Sequence, residues 1–317
     1  MTGDGKPIVV VGSINMDLVA SAEHIPSVGE TIEGTEFQYQ PGGKGANQAV
    51  AVAKLGYPVR MIGKVGDDSF GAQLRNQLEE SGVDTAGVGV SLGSSGIALI
   101  VVSHRGENSI VVIPGANATL TPEFLEQKRD IICSAGLVLT QLEIPLETVE
   151  YLATMCEREN IPLILDPAPA RPLSRSLLES ISWFTPNETE AAFFAGGDTC
   201  ADNSSSPDLV AERLFEKGVR RLVLKLGARG AFLVTGADNQ LMLKSAPVCA
   251  IDTTGAGDAF NGAFATGLLL WNEPFKSARF AIAAAAVSVT RSGAQASMAS
   301  MEEVQELLER GLDAVQK

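Results

Sequence analysis

The chain is poor in the residues that carry metal, redox and disulfide chemistry: of 317 residues, four are cysteine and two histidine. Cys133, Cys156, Cys200 and Cys249 lie far apart with no C-x-x-C pair, which excludes a disulfide framework or a zinc ribbon and fits free thiols in a reducing compartment. His24 and His104 have no partner at metal-ligand spacing. Positive charge is short as well. With 24 Lys and Arg against 38 Asp and Glu, the net charge of −14 argues against nucleic acid or an anionic membrane as partner. A phosphate-bearing ligand stays open, because it needs only a local positive pocket. The most apolar run, Ala281 to Thr290, is bounded by Arg279 and Arg291 and is too short to span a bilayer. The first residues also lack the apolar stretch of a secretory signal, so a cytoplasmic location is expected. Two nucleotide signatures are missing too, G-x-x-x-x-G-K-[ST] and a G-x-G-x-x-G after the first strand. A P-loop enzyme and a dinucleotide enzyme are thereby set aside.

What is present describes a globular α/β protein, with 45% hydrophobic and 20% charged residues. Ile8 to Val11 is a continuous β-branched run, the mark of a strand buried on both faces. Leu18 to Ala20 and Glu33 to Gln40 instead alternate apolar and polar residues, as a half-exposed sheet does. Gly96 to Val102 and Ser109 to Ile113 flank a turn and read as a hairpin. These two excursions, about residues 15–42 and 95–114, predict a small sheet acting as a lid inserted in one domain over 1–317. Helices are expected at 46–55, 70–80, from Thr121-Pro122, and at 146–159, 209–217, 256–270 and 275–290. A last helix is capped by Ser300 with Glu303. Strands at 59–65, 136–140, 161–166, 183–184 and 221–226 alternate with them, followed by a hairpin over 231–244. The pattern predicts a three-layer α/β/α fold with a mostly parallel central sheet. Asp202 to Pro207 reads as a polar surface loop, and Asn117-Ala118-Thr119 as a sequon without meaning in a cytosolic protein.

Polar residues gather after the expected strands, where ligands bind in open α/β sheets: Asn15, Asp17, Glu143, Asn187, Gly227 and Asp258. The most informative stretch is Asp252-Thr253-Thr254-Gly255-Ala256-Gly257-Asp258, read as a strand end, a glycine turn and a helix start. Free N–H groups at a helix start attract phosphate, and Asp258 there is suited to accept a proton from an attacking hydroxyl. A plain helix-capping turn would look the same. Pro41-Gly42-Gly43-Lys44-Gly45-Ala46-Asn47-Gln48-Ala49 offers a backbone surface, a charge at Lys44 and an amide at Asn47. Asn15 and Asp17 share one face of an extended segment and suit vicinal hydroxyls, or are simply a polar strand end. Asn187 and Glu190 either order Mg²⁺ waters or form a capping box, and both can hold at once. Lys225 to Gly230 either lies along a nucleotide or is only a turn.

Gly42 to Ala49 and Asp252 to Asp258 resemble the two signature motifs of the ribokinase-like carbohydrate kinases. Gly12 to Asp17, Pro186 to Glu190 and Arg291 to Gln295 match in order, and the similarity runs from Ile8 to the last helix. The resemblance implies transfer of the ATP γ-phosphate to the 5-hydroxyl of D-ribose and a homodimer clasped through the lid sheet. It implies Asp258 as base and the backbone of Gly255, Ala256 and Gly257 as anion hole. Asn15, Asp17, Gly43, Lys44, Asn47 and Glu143 would hold the sugar. Asn187, Lys225, Gly227, Ala228, Arg229 and Gly230 would line the nucleotide, with Glu190 organising Mg²⁺. An activating K⁺ would be held by Asp252, Thr254, Ser288, the carbonyl of Arg291, Gly293 and Ser297. Ile282 stands where the family often carries His or Asn, so the base of the nucleotide is expected to be read less strictly. A sister kinase of fructose, deoxyribose or a keto-deoxy acid, and a non-catalytic sugar-binding regulator, are the alternatives.

Overall fold

The computed structural model describes residues 5–196, 206–236 and 239–311. Strand β1 (Ile8–Val11) is wholly buried. Its side chains divide with the period of two of a strand: Ile8 and Val10 join one apolar cluster, Val9 and Val11 the other. A sheet wetted on neither face needs helices on both sides. After β1 the chain forms β2 (Asn15–Ala22) and β3 (Gly34–Gly42). It continues through α1 (Lys44–Lys54), β4 (Val59–Gly66), α2 (Ser69–Glu80) and β5 (Asp84–Ser91) to β6 (Gly96–Ser103) and β7 (Asn108–Ile113). Then come α3 (Pro122–Gln127), α4 (Arg129–Cys133), β8 (Leu137–Gln141), α5 (Leu146–Arg158), β9 (Leu163–Asp166), α6 (Arg175–Ser180) and β10 (Trp183–Phe184). The rest is α7 (Glu188–Ala195), α8 (Pro207–Glu216), β11 (Leu222–Lys225), β12 (Ala231–Gly236), β13 (Asn239–Leu243), α9 (Ala256–Trp271), α10 (Pro274–Ser288) and α11 (Met301–Gly311).

Among the described residues the strands make two sheets, one of nine in the order β13-β12-β11-β10-β9-β8-β1-β4-β5 and one of four in the order β3-β2-β6-β7. The large sheet pairs in parallel from β11 to β5, and only β12 breaks the pattern, antiparallel to β11 and β13. Helices α1, α2, α9, α10 and α11 pack on one face and α3 to α8 on the other, giving the three-layer α/β/α arrangement with its separate small sheet. Among the described residues no helix is long and apolar enough to cross a membrane.

Several local expectations change. Strand β5 carries no strand pattern, because Gly87 and Gly89 interrupt it. A Cβ at Gly87 would lie 2.4 Å from the carbonyl oxygen of Met61, and one at Gly89 2.7 Å from the Phe124 ring. Close packing demands the residues that hide the strand. Residues 244–255 contain no strand, so the turn before α9 follows irregular chain rather than a strand end. The expected loop at 202–207 falls in part outside the described residues. Ser206 and Pro207 are not loop: the Ser206 side chain accepts from the N–H of Leu209 and Pro207 opens α8, where its fixed φ is favourable.

Helix α1 begins at Lys44, two residues before the expected start, because Gly43 takes a φ of 87° that a side chain would resist. Gly45 then lies against β1's exit, where an added Cβ would meet the backbone of Gly12 and Ser13 at 2.7 Å. Backbone on both sides cannot rotate away. Gly45→Ala is therefore expected to lower unfolding stability by about 1–3 kcal/mol, the cost of overpacking, as read by chemical denaturation.

Candidate active site

The two excursions leave the core at one level. Asn15 pairs with Gly42 of β3 and with Gly96 of β6, so β2 and β6 start and β3 ends side by side beyond the carboxyl end of β1. Asn117 closes this joint. Its Oδ1 accepts the N–H of Ile14 at 2.9 Å, and its Nδ2 donates to Asn15 Oδ1 at 2.7 Å. Gly42 has no Cβ because Asp17 lies over it: an added Cβ would sit 2.2 Å from Asp17 Oδ2. Glu143, just past β8, accepts from Ser13 Oγ at 2.5 Å and from the Lys44 N–H at 3.2 Å.

Asp258 occupies the first turn of α9 and is 6% exposed. Asn47 Nδ2 donates to its Oδ2 at 2.9 Å and Gln48 Nε2 to its Oδ1 at 3.1 Å. Gln295 Nε2 in turn donates to Asn47 Oδ1 at 3.2 Å. Burial raises the carboxyl of Asp258; Lys44 opposes this, Asp166 adds to it, the two amides oppose it, and the balance lies at about 6. Burial works against the charge of Lys44 as well. The carboxylates of Asp258, Asp166, Glu143 and Glu190 outweigh it and hold the ammonium above its ordinary range. Asp17 is lifted from 3.8 to about 7 by burial and by Glu143 and Asp258, against Lys44. Asp17, Lys44, Asn47 and Glu143 are thus linked to Asp258 or to one another by hydrogen bonds or charge.

The helix start differs from expectation in one respect. The N–H of Ala256 donates to the carbonyl of Thr253 at 3.2 Å, which leaves those of Gly255 and Gly257 without an acceptor among the described residues. Next to Gly257 opens a cavity of about 520 Å³ lined by Lys225, Gly227, Ala228, Gly230 and Ile282 among others. Asn187 and Arg229 are not in its wall; Arg229 reaches instead to Glu188. Asn187 and Glu190 form a reciprocal capping box. Burial raises the Glu190 carboxyl, Lys225 opposes this and Asp166 adds to it.

Of the six residues expected around a monovalent cation, Asp252, Thr254 and Gly293 are joined directly. Asp252 accepts from the N–H of Thr254 at 2.9 Å and of Gly293 at 2.8 Å, and Ile251 donates to Val289 O at 2.7 Å beside Ser288. Burial alone would raise the Asp252 carboxyl, but these N–H bonds outweigh it and keep it low. A carboxylate with hydroxyl and carbonyl oxygens is a hard donor set, so the residues fit an alkali cation. Ser297 belongs to the same turn, its hydroxyl donating to Ala294 O, and the Arg291 side chain is engaged by Glu303.

Several residues of the site had no role in the sequence reading. Asp166, the last residue of β9, accepts from Gln48 Nε2 at 3.0 Å and pairs with Lys225 Nζ at 2.9 Å. Gln141, the last residue of β8, donates to Gln48 Oε1 at 2.7 Å. Both end their strands, the position that draws attention to other polar residues here.

Residues 6–301 match the family described as pfkB family carbohydrate kinase. The chain is similar to a ribokinase of Bacillus subtilis, with 42% identity over 304 residues covering 96% of this chain and 99% of the relative. It is also similar to a deoxyribokinase of Salmonella typhi, with 38% identity over 95% of this chain and 98% of the relative. Among solved structures, an Arabidopsis thaliana ribokinase complexed with ribose and ATP superposes with a TM-score of 0.88 and 34% identity, covering 96% of this chain and 99% of that one.

The raised Asp17 has a consequence for stability. An acid whose folded value is about 7 against 3.8 binds its proton more tightly when folded, so stability falls as pH rises through that window. Asp17→Asn removes this contribution. Chemical denaturation at pH 5 and pH 7.5 is expected to show the variant gaining on the parent protein at the higher pH; parallel behaviour would contradict the buried-carboxylate picture.

Proposed function

The chain belongs to the pfkB family of carbohydrate kinases and is a ribokinase-type sugar kinase, and from that premise we propose that it transfers the γ-phosphate of ATP to the 5-hydroxyl of D-ribose. The observation that carries this reading is the environment of Asp258. Its carboxylate is held on both oxygens by Asn47 and Gln48 and meets the charge of Lys44 and Asp17, one residue from Gly257 in the wall of the cavity. A carboxyl poised at about 6 is a base matched to neutral pH.

In the proposed reaction Asn15 and Asp17 orient the sugar hydroxyls, with Gly43 giving backbone access and Glu143 fixing the Lys44 segment. Asp258 takes the proton of the attacking hydroxyl. The N–H groups of Gly255 and Gly257 and the ammonium of Lys44 stabilise charge on the transferred phosphoryl group. Lys225, Gly227, Ala228 and Gly230 line the nucleotide, and Ile282 offers its base an apolar wall. Mg²⁺ supplies charge neutralisation on the phosphate oxygens, and Glu190 would organise its waters. K⁺ would be held by Asp252, Thr254, Ser288, the Arg291 carbonyl, Gly293 and Ser297. The free thiols of Cys133, Cys156 and Cys249 agree with a reducing, cytoplasmic setting.

The small sheet serves in this reading as a lid, inserted through 15–42 and 95–114 into one domain, and as a dimer surface. Every residue of β7 is exposed although Ile110, Val111, Val112 and Ile113 are apolar, and Phe37 and Tyr39 on β3 are exposed too. Such an apolar sheet is an aggregation hazard unless a second copy covers it. The similarity to a deoxyribokinase favours one second reading, deoxyribose as acceptor. A silent sugar-binding regulator has no use for the clamped Asp258.

Asp258→Asn is expected to retain fold and ribose binding while turnover falls by about 10²–10⁴, the usual loss with a general base. ADP release over ribose, deoxyribose and fructose reads both the base and the acceptor; full turnover in the variant, or a preference for another sugar, would contradict the assignment. Val111→Glu is expected to convert a dimer to a monomer in sedimentation, and an unchanged dimer would rule out the lid surface.

A further inference from the structure

The residue that holds the base from behind is a glutamine with no direct part in the reaction above. Gln48 lies in α1 and is fully buried, where an amide is costly unless each of its polar groups is paired. Its Nε2 donates to Asp258 Oδ1 at 3.1 Å and to Asp166 Oδ2 at 3.0 Å, which uses both N–H bonds. Its Oε1 accepts from Gln141 Nε2 at 2.7 Å. That third bond decides which end of the amide faces the carboxylates, since a flipped amide would turn its oxygen onto two anions. The other oxygen of Asp166 is paired with Lys225, itself part of the nucleotide-side cavity wall. An unbroken row therefore runs Lys225, Asp166, Gln48, Asp258.

We propose that Gln48 is a positioning residue: oriented by Gln141, its carboxamide sets the alignment of Asp258 and links it to the Asp166–Lys225 pair beside the nucleotide cavity. The proposal rests on Asp258 being the base. With Asn47 alone, the carboxylate hangs on one oxygen and is free to turn about its last bond. With Gln48 as well, the carboxylate plane is fixed by donors on two sides. Gln48 also bridges two carboxylates that repel each other, donating one N–H to each. Asp258 meets charge from Lys44 on α1, Asp166 on β9 and Asp17 on β2; Glu143, Glu190 and Lys225 lie around the same Lys44 or Asp166. Withdrawing the amide removes a donor that favours the ionised form, so Asp258 holds its proton to higher pH.

The test uses Gln48→Met, close in shape but without donors, with Gln141→Met as the second variant. Turnover of Gln48→Met is expected to fall by about 10- to 100-fold, the cost of a misaligned reacting group, with the KM for ribose near that of the parent. The acid limb of the kcat–pH profile should move to higher pH. Gln141→Met should move it in the same direction by less, because the amide is then unlocked rather than removed. Thermal unfolding and ribose calorimetry report whether each variant is folded. A folded Gln48→Met with unchanged turnover and acid limb overturns the proposal, as does a rise in KM at constant kcat. If Gln48→Met does not fold, an unshifted limb in Gln141→Met overturns it equally. Activity in Asp258→Asn would sink the base assignment itself, whereas an inactive Asp258→Asn beside an unshifted Gln48→Met sinks the positioning role alone.

Discussion

A carboxylate inside a protein is expensive unless it is paired and hydrogen-bonded, and the site is arranged around meeting that condition for Asp258. Two amides from consecutive residues of α1, Asn47 and Gln48, reach it only because that helix packs against α9. The helices approach closely because Gly262 lies against Ala51, where an added Cβ would be 2.7 Å from the Ala51 side chain. Small residues in the core thus act directly on the chemistry. Lys44, at the first position of the same helix, supplies the compensating charge. Its own burial is tolerable only because four carboxylates face it. Neither charge would be stable there without the other.

Much of this was legible in the sequence, for identifiable reasons. The β-branched run at Ile8 to Val11 marks a doubly covered strand and the alternating pattern at 33–40 a more open one. The structure keeps them in different sheets, with residues 34–39 exposed throughout rather than on one face only. Asp258 and Lys44 stand next to glycines, and Asn47 two residues after one, and glycines mark close backbone approach. What escaped has equally physical causes. Strand β5 is hidden because the contacts at Gly87 and Gly89 leave no room for the side chains that would betray it. Gln48, Gln141 and Asp166 were not given roles because a single polar residue in an apolar stretch has no period. Their meaning is that three elements, α1, β8 and β9, meet. Asn117 carried only the form of a sequon, yet it fastens Ile14 and Asn15.

The same contrast separates the two sides of the site. The surroundings of Asp258 are built from charged and amide groups held by hydrogen bonds of long sequence separation, such as Glu143 to Ser13 and Asn47 to Asp258. The cavity beside Gly257 is lined mostly by small and apolar residues such as Ala228, Val248, Phe260 and Ile282, together with Lys225. A cluster of hydrogen-bonded polar groups thus stands beside a largely apolar cavity.

The joint beneath Asn117 has a mechanical consequence. Asn15, Gly42 and Gly96 lie side by side across neighbouring strands, so the places where the small sheet is rooted fall close to one line. For a body pivoting on such a line, displacement grows with distance from it. A tilt of the sheet would sweep the tip near Ser103 and Asn108 through the widest arc and leave Asn15 almost stationary. Asn15 is thereby mechanically insulated from movement of the far edge of the sheet.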